Sequence, residues 1–349
     1  MSGVMQKEKE LESLLIQYKS LGIDSQIDYE KFYLYSIITH STAIEGSTIT
    51  ELENQLLFDH GISAGGRTLT EQYMNLDLKS AYDRCRIYAR QHTLITVELL
   101  KELSSIVMKN TGKVYNTALG EFSSANGDIR LLNVTAGTGG KSYMSFNKVP
   151  LRLKELCEEL NLKRKDVGRR TLIEQYLLSF DAHYDLVTIH PWADGNGRLA
   201  RLLMNMIQFE FGLIPAKILK EDKEQYINAL VKTREADDKT IFRDYMLDVM
   251  IKNLKADIMT YVQSTGESVI AINGREKSRE KIIRLLGENG NMTTATLAQA
   301  VGISTKAIEK HLSKLKSDGI ISRVGPDKGG HWEVIQKKCA FFADTDSTL

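Results

Sequence analysis

Apolar positions along this chain recur mostly every three or four residues, the period of helices that bury one face. Leu199, Leu202, Leu203, Met206 and Ile207 make one such face, and Phe32, Tyr35, Ile38 and Ala43 make another. Punctuation residues bound these runs. Thr50 with Glu53, and Thr68 with Glu71, have the capping-box spacing that opens a helix. Gly46, Gly61 and Gly212 stand where a left-handed residue ends one. The pattern predicts helices over about 1–22, 28–45, 51–61, 68–90 and 96–109, then 151–160, 169–187, 198–211, 221–235 and 240–263. Between residues 110 and 150 the helical period lapses into Gly, Ser, Asn and Thr. Two β-like runs, Ile129–Val134 and Ser142–Phe146, flank Gly137, Gly139 and Gly140, which predicts a β-hairpin projecting from a helical body.

After a Ser/Thr/Gly/Asn linker at 264–275 the pattern resumes with Ile282, Ile283, Leu285 and Leu286, then helices 294–300 and 304–316. Ala298, Gly302 and Ile308 have the spacing of a helix-turn-helix: small residue, tight turn, buried aliphatic. Ile320–Val324 and His331–Ile335, joined by Gly325–Gly330, complete a two-stranded wing. Residues 276–336 resemble a winged-helix domain, and 337–349 are left as a tail.

Charge sharpens this division. The chain of 349 residues has a net charge of only +1, but residues 275–338 hold thirteen Lys/Arg against seven Asp/Glu. That net of +6 leaves −2 for the last eleven residues and −3 for residues 1–274. The third helix of the C-terminal domain carries Lys306, Lys310, His311, Lys314 and Lys316, a face suited to DNA phosphates rather than base edges. A solvated lysine face, or a dimer or protein-binding module, is the plainer reading of the same residues. Cys85, Cys157 and Cys339 are few, odd in number and far apart, which argues against a disulfide framework and for a reducing compartment. No apolar run approaches a membrane span and no signal region opens the chain, so a cytoplasmic location without membrane contact is expected.

The chemistry concentrates in His190-Pro191-Trp192-Ala193-Asp194-Gly195-Asn196-Gly197-Arg198-Leu199-Ala200-Arg201. A Gly-Asn-Gly turn feeds a helix with Arg198 and Arg201 on its first turn. Cations are disfavoured there by the helix dipole unless an anion lies between them. Glycines 195 and 197 let N–H groups approach such an anion, as in a phosphate cradle. Asp194 beside phosphate implies a bridging divalent cation, and His190 stands where a base could take a proton from a hydroxyl. The bottom-up reading is a nucleotide polyphosphate site with Mg²⁺. A metallohydrolase using His183, His190, Asp181, Asp185 or Asp194 as ligands is a weaker alternative, because His183 falls on an apolar helix face and the usual ligand spacings are missing.

These twelve residues resemble the signature of the Fic (Fido-domain) family, His-x-Phe-x-(Asp/Glu)-Gly-Asn-Gly-Arg-x-x-Arg, with Trp192 in place of Phe. The resemblance implies an all-α Fic fold with a β-hairpin flap, here followed by the small winged helix-turn-helix domain. It divides the chain into an N-terminal helical region 1–95, a catalytic core 96–263 with its flap at about 120–150, the linker, and the winged helix. It implies an enzyme that transfers AMP from ATP to a Ser, Thr or Tyr hydroxyl of a target protein, or of itself. His190 would be the catalytic base and Asp194 the Mg²⁺ ligand. ATP would be held by His190, Gly195, Asn196, Gly197, Arg198, Leu199, Ala200 and Arg201, with Tyr226 lining the adenosine pocket; packing against Leu230 is the alternative role for Tyr226.

Two positions depart from the family: Ser123, where many members have Arg, and Arg234, where some have Asn near the nucleotide. Ser41-Thr42-Ala43-Ile44-Glu45-Gly46 resembles the family's inhibitory motif (Ser/Thr)-x-x-x-Glu-(Gly/Asn), on a helix at about 28–46. In the family this glutamate pairs with the second arginine of the signature, here Arg201. An arginine held by a carboxylate cannot also hold a γ-phosphate. Removal of AMP at the same site, or a DNA-binding regulator whose core senses nucleotide, are the other readings. The partners expected are ATP, a target protein, DNA at the winged helix and, as an open question, a second copy of the chain.

Overall fold

A computed structural model of the chain describes residues 3–26, 28–135, 142–265, 278–317, 320–325 and 330–335. The flap glycines 137, 139 and 140, linker positions 266–275, Gly319, the wing turn 326–329, and the tail with Cys339 lie outside the described residues. Two compact units divide at residues 261 and 262.

The first unit is helical, in the order α1 (Gly3–Ser20), α2 (Tyr29–Ile44), α3 (Glu51–His60), α4 (Leu69–Arg90), α5 (Val97–Val107), then β1 (Val114–Thr117) and β2 (Gly120–Ser123). It continues with α6 (Val149–Lys165), α7 (Leu172–Ile189), α8 (Asn196–Glu210), α9 (Lys223–Ala236) and α10 (Thr240–Thr265). Both predicted capping boxes form, at Thr50/Glu53 and Thr68/Glu71, and a third closes at Thr171/Glu174. Gly61 ends α3 in the left-handed conformation.

The periodicity of α8 suggested one apolar face, yet nearly the whole helix is buried, packed against α7, α4, α5 and α2. Its polar residues are tolerated because they find partners. Asn205 accepts from the Tyr82 hydroxyl and donates to the Ala216 carbonyl, while Gln208 donates to Ser179. Phe32, predicted on the buried face of α2, is exposed, whereas Tyr35 and Ile38 enter the core.

The predicted hairpin needs correction. The two-stranded ladder is β1–β2, pairing Val114 with Ser123 through Thr117 with Gly120. Among the described residues the two predicted segments meet in one antiparallel bridge, Thr135 to Ser142, with Tyr143 N–H donating to the Val134 carbonyl, while the glycine turn predicted between them lies outside the described residues. Phe146–Lys148 is a 3-10 turn leading into α6. The reason is Arg130. Its fully buried guanidinium donates to the carbonyls of His190, Leu132 and Met144, so the backbone there bonds a side chain instead of a strand.

A buried polar cluster fixes α2 against α3 and α4. Asn75 on α4 accepts from Thr42 at 2.7 Å and Asn54 at 2.9 Å, and donates to Ser47 at 3.0 Å. Asn54 also donates to Thr39 at 2.7 Å.

The second unit contains α11 (Ser278–Glu288), α12 (Thr294–Val301), α13 (Thr305–Ser317), and antiparallel β3 (Ile321–Val324) and β4 (His331–Val334). Ile282, Leu286, Leu297, Ala298, Ile308, Leu312, Leu315 and Ile321 form its core, with Trp332 and Val334 packed on them. The predicted helix-turn-helix residues fall as expected: Ala298 and Ile308 are buried and Gly302 ends α12 with φ 84°. Lys306, Lys310, Lys314 and Lys316 are exposed on α13 and His311 is half-buried.

The cluster around Asn75 yields a stability prediction. Asn75→Ala leaves one buried Asn54 N–H unpaired, while Thr42 can still donate to the Ile38 and Thr39 carbonyls, and should lower unfolding stability by about 1–3 kcal/mol. Thr68→Ala, which removes only a cap, should cost about 1 kcal/mol. Urea midpoints at constant slope measure both.

Candidate active site

His190 terminates α7 in the left-handed conformation, with φ 53°. That sharp exit turns the chain back along α8, and it is secured from outside by Arg130, whose N–H donates to the Pro191 carbonyl and whose Nε donates to that of His190. The imidazole Nδ1 donates to the Val187 carbonyl at 3.2 Å, leaving Nε2 with its lone pair. Burial, with the nearby Arg130 charge, pulls the His190 pKa down to about 4, against the opposing pull of the Val187 carbonyl, Glu45 and Asp194. The ring is therefore neutral at physiological pH.

Trp192, the departure from the family's Phe, is fully buried and donates its indole N–H to the Gly127 carbonyl at 3.0 Å. Gly127 has φ 70°, and a Cβ there would meet the Lys101 carbonyl oxygen at 2.1 Å. Asn196 closes the loop: its side chain accepts from Trp192 N–H and donates to Trp192 C=O. The amide of Asn196 is therefore spent on the loop, and its backbone N–H is the group that faces the helix N-terminus. Leu199 donates its N–H to Gly195, the first intrahelical bond of α8. The N–H groups of Asn196, Gly197 and Arg198 precede it and form the open cradle. Leu199 and Ala200 are buried in the core and bring no donor to the site.

The two arginines diverge. Arg198 lies under the loop, its Nη2 3.0 Å from Met108 Sδ and 3.7 Å from Asp194 Oδ1, with Nη1 3.4 Å from the Val107 carbonyl. Asp194 caps Gly195 N–H at 2.6 Å, and its side chain is 56% exposed. Arg201 points the other way, into α2. Its Nε donates to Ser41 Oγ at 2.8 Å and its Nη2 donates to the Ser41 carbonyl at 2.9 Å and to Glu45 Oε1 at 2.7 Å. Nη1 lies 3.5 Å from the Tyr226 hydroxyl. A Cβ built on Gly197 would stand 2.7 Å from that same Glu45 oxygen and 3.1 Å from Arg201 Nη1. Glu45 Oε1 thus lies against Gly197 at the edge of the cradle, and the missing side chain of Gly197 leaves room for the carboxylate.

Burial opposes ionisation of Glu45, but the charge and hydrogen bond of Arg201, helped by Arg198 and Lys223, outweigh it and hold the carboxyl below its ordinary range.

Tyr226 is buried. Its ring packs with His183, Phe242 and Tyr245, and its hydroxyl lies 2.8 Å from His183 Nε2. Its hydroxyl lies near Arg201 Nη1, and its ring is 5.9 Å from the Arg201 guanidinium carbon. His183 is a core histidine, stacked on Phe242, with its pKa lowered by burial to about 3. Asp181 is engaged twice by Arg243, and Asp185 pairs with Lys239 at 2.6 Å. These pairings remove the ligands of the metallohydrolase alternative. Among the described residues no three metal-ligating side chains cluster. A Mg²⁺ at Asp194 would then take its other ligands from phosphate and water, as Mg²⁺ commonly does, and the exposed carboxylate suits that.

Sequence reasoning missed Arg130 and Tyr143. The Tyr143 ring stacks on His190 with centroids 3.8 Å apart and planes 18° apart, and Arg234 lies over the other ring in turn, 5.4 Å from its centroid. Both lie in the two β-like runs, which marked a strand but gave no signal for a contact with His190.

With this geometry in view, the comparisons with known proteins are direct. Residues 94–208 match the model of the Fic/DOC family, and residues 275–322 match that of a winged helix-turn-helix DNA-binding domain. Protein adenylyltransferase fic-1 of Caenorhabditis elegans is 27% identical over 237 residues, 67% of this chain and 42% of that protein. Protein adenylyltransferase Fic of Drosophila grimshawi is 27% identical over 220 residues, 62% of this chain and 41% of that protein. The chain spans less than half the length of these curated relatives. A Fic-domain-containing signaling protein from Bacteroides thetaiotaomicron shares the fold with a TM-score of 0.58 at 24% identity, covering 79% of this chain and all of that one. The C. elegans Fic-1 structure gives 0.56 at 21% identity, covering 75% and 73%. The chain carries a Fic/DOC-family domain and, after it, a winged helix-turn-helix domain. No helix among the described residues is long and apolar enough to cross a membrane.

The ion pair sets a pH signature. A carboxyl held below its ordinary pKa stabilises the fold above the unfolded value, and that contribution is lost as pH falls through the folded one. The gap in urea midpoint between the wild type and Glu45→Gln should be widest near neutrality and should close below about pH 4.

Proposed function

We propose that this chain is a protein adenylyltransferase that moves AMP from ATP to a protein hydroxyl, its own or a target's, and that Glu45 holds it in a weakly active state. One observation carries the reading. A helix N-terminus with a glycine cradle and a buried arginine, a site built for an anion, is filled by the chain's own carboxylate. The names of the relatives agree with adenylyl transfer.

In the proposed reaction His190 Nε2 takes the proton of the attacking hydroxyl as its oxygen bonds to the α-phosphorus. The bond to the bridging oxygen of the β-phosphate breaks, and diphosphate leaves. A Mg²⁺ on Asp194 and the phosphates would neutralise charge there. The 196–198 N–H groups orient the phosphates, and Arg201, freed from Glu45, takes the γ-phosphate. Placement and charge neutralisation supply most of such a rate enhancement. Removal of AMP from a modified protein would use the same site, with Glu45 retained to orient a water.

Glu45→Gly should raise labelling from α-³²P-ATP roughly tenfold or more, each 1.4 kcal/mol recovered at Arg201 being a factor of ten. His190→Ala in that background should lower it by about 10²-fold or more. Labelling that survives the loss of His190 would overturn the assignment of the base. Because His190 titrates at about 4, the Glu45→Gly rate should stay flat from pH 8 down to pH 6.

A second reading, DNA binding by the winged helix, is favoured by the exposed lysines of α13. Replacing Lys306, Lys310 and Lys316 with Ala should weaken binding equally for all duplex sequences. It should also flatten the log–log salt dependence by about 0.9 per lost contact, read in a fluorescence titration of the full chain.

A further inference from the structure

Outside the signature, one contact touches the reacting histidine directly and has no role so far. Tyr143 covers a face of the His190 ring in a near-parallel stack. It is held there from three sides. Its N–H donates to the Val134 carbonyl, the carbonyl of the next residue, Met144, accepts from the buried Arg130, and the Arg234 guanidinium lies over its ring. The Arg234 Nε is buried with no hydrogen-bond partner among the described residues, so the tyrosine ring is the contact that occupies this cation. The three residues come from separate places: the segment before α6, the end of α7, and α9. Arg130 contacts both neighbours, donating to the carbonyls of His190 and Met144, so base and ring are mounted on one side chain.

We propose that Tyr143, backed by Arg234, is a positioning residue for the base: it fixes the imidazole plane and shields one face from water, leaving the ring edge with Nε2 for the substrate hydroxyl. A stack constrains tilt but leaves the in-plane lone pair open, so it fits a base that must be rigid and still reachable. The Val187 carbonyl fixes rotation about the ring, since Nδ1 is tied to it; Tyr143 fixes what that bond leaves free. Shielding also acts on protonation. The charged groups facing His190 are Arg130, which favours the neutral ring, and Glu45 and Asp194, which favour the charged one. Burial outweighs the two carboxylates, and Tyr143 supplies part of that burial.

The proposal rests on the adenylyltransferase reading, and its test separates the two. In the Glu45→Gly background, Tyr143→Ala should lower the labelling kcat roughly tenfold with little change in the KM for ATP, because geometry at the base is lost and nucleotide contacts are not. Its rate should now fall between pH 6 and pH 5, where the Glu45→Gly parent stays nearly flat, an acid limb moved up by roughly one unit or more as water reaches the imidazole. Tyr143→Phe keeps the ring and should restore both the rate and the flat profile. Arg234→Met should move both in the same direction by less. Should Tyr143→Ala fold poorly, Tyr143→Leu keeps bulk without a planar face and gives the same readout. Independently of turnover, the His190 ring followed by ¹⁵N NMR should titrate higher in Tyr143→Ala than in the wild type. No labelling by any variant, Glu45→Gly included, overturns the adenylyltransferase reading and leaves the NMR shift to decide on Tyr143. Labelling by Glu45→Gly that is unchanged in rate and pH profile by Tyr143→Ala overturns the role given to Tyr143, as does a His190 titration that does not move.

Discussion

A buried guanidinium must have its donors satisfied, and that constraint organises the first unit. Arg201 sits on the second turn of a helix buried nearly all round, where a cation is opposed above all by desolvation. It is stable there because Ser41 and Glu45 accept from it and the Tyr226 ring lies close by. The same donors suit a polyphosphate. Under the proposed function, occupation by Glu45 and occupation by an external anion are alternatives at this one cation.

Helix α2 is held firmly. The Asn75, Asn54, Thr39, Thr42 and Ser47 cluster locks α2 to α3 and α4 through hydrogen bonds that are costly to strand in the interior. Release of Arg201 by unfolding α2 would have to break this cluster. A third of the Glu45 side chain is exposed, so swinging that one side chain outward is the smaller change.

The opposite end of the site is arranged on a second buried arginine. Arg130 donates to carbonyls in both predicted β runs, at Leu132 and Met144, and on the signature itself, and among the described residues those segments share one bridge rather than a ladder. A strand ladder and a side chain compete there for the same backbone acceptors, and the fully buried arginine takes them. The ladder forms instead at 114–123, where Gly120 supplies the turn with φ 124°.

The sequence by itself determined what depends on local spacing. Capping boxes, helical periods and the Gly-Asn-Gly turn operate within a few residues, so helix ends and the turn that opens α8 were legible from Thr50, Thr68, Gly61 and Gly195. The Glu45–Arg201 pair was reachable only because both residues lie in recognisable motifs, and nothing in their spacing of 156 positions predicts contact. Tertiary structure alone decided the rest. It turned Arg198 away from Arg201, spent the Asn196 side chain on Trp192, buried the Tyr226 ring, and set Tyr143 and Arg234 beside His190. Each of these follows from which distant backbone or ring fills the space around one side chain, and a linear pattern holds no record of that.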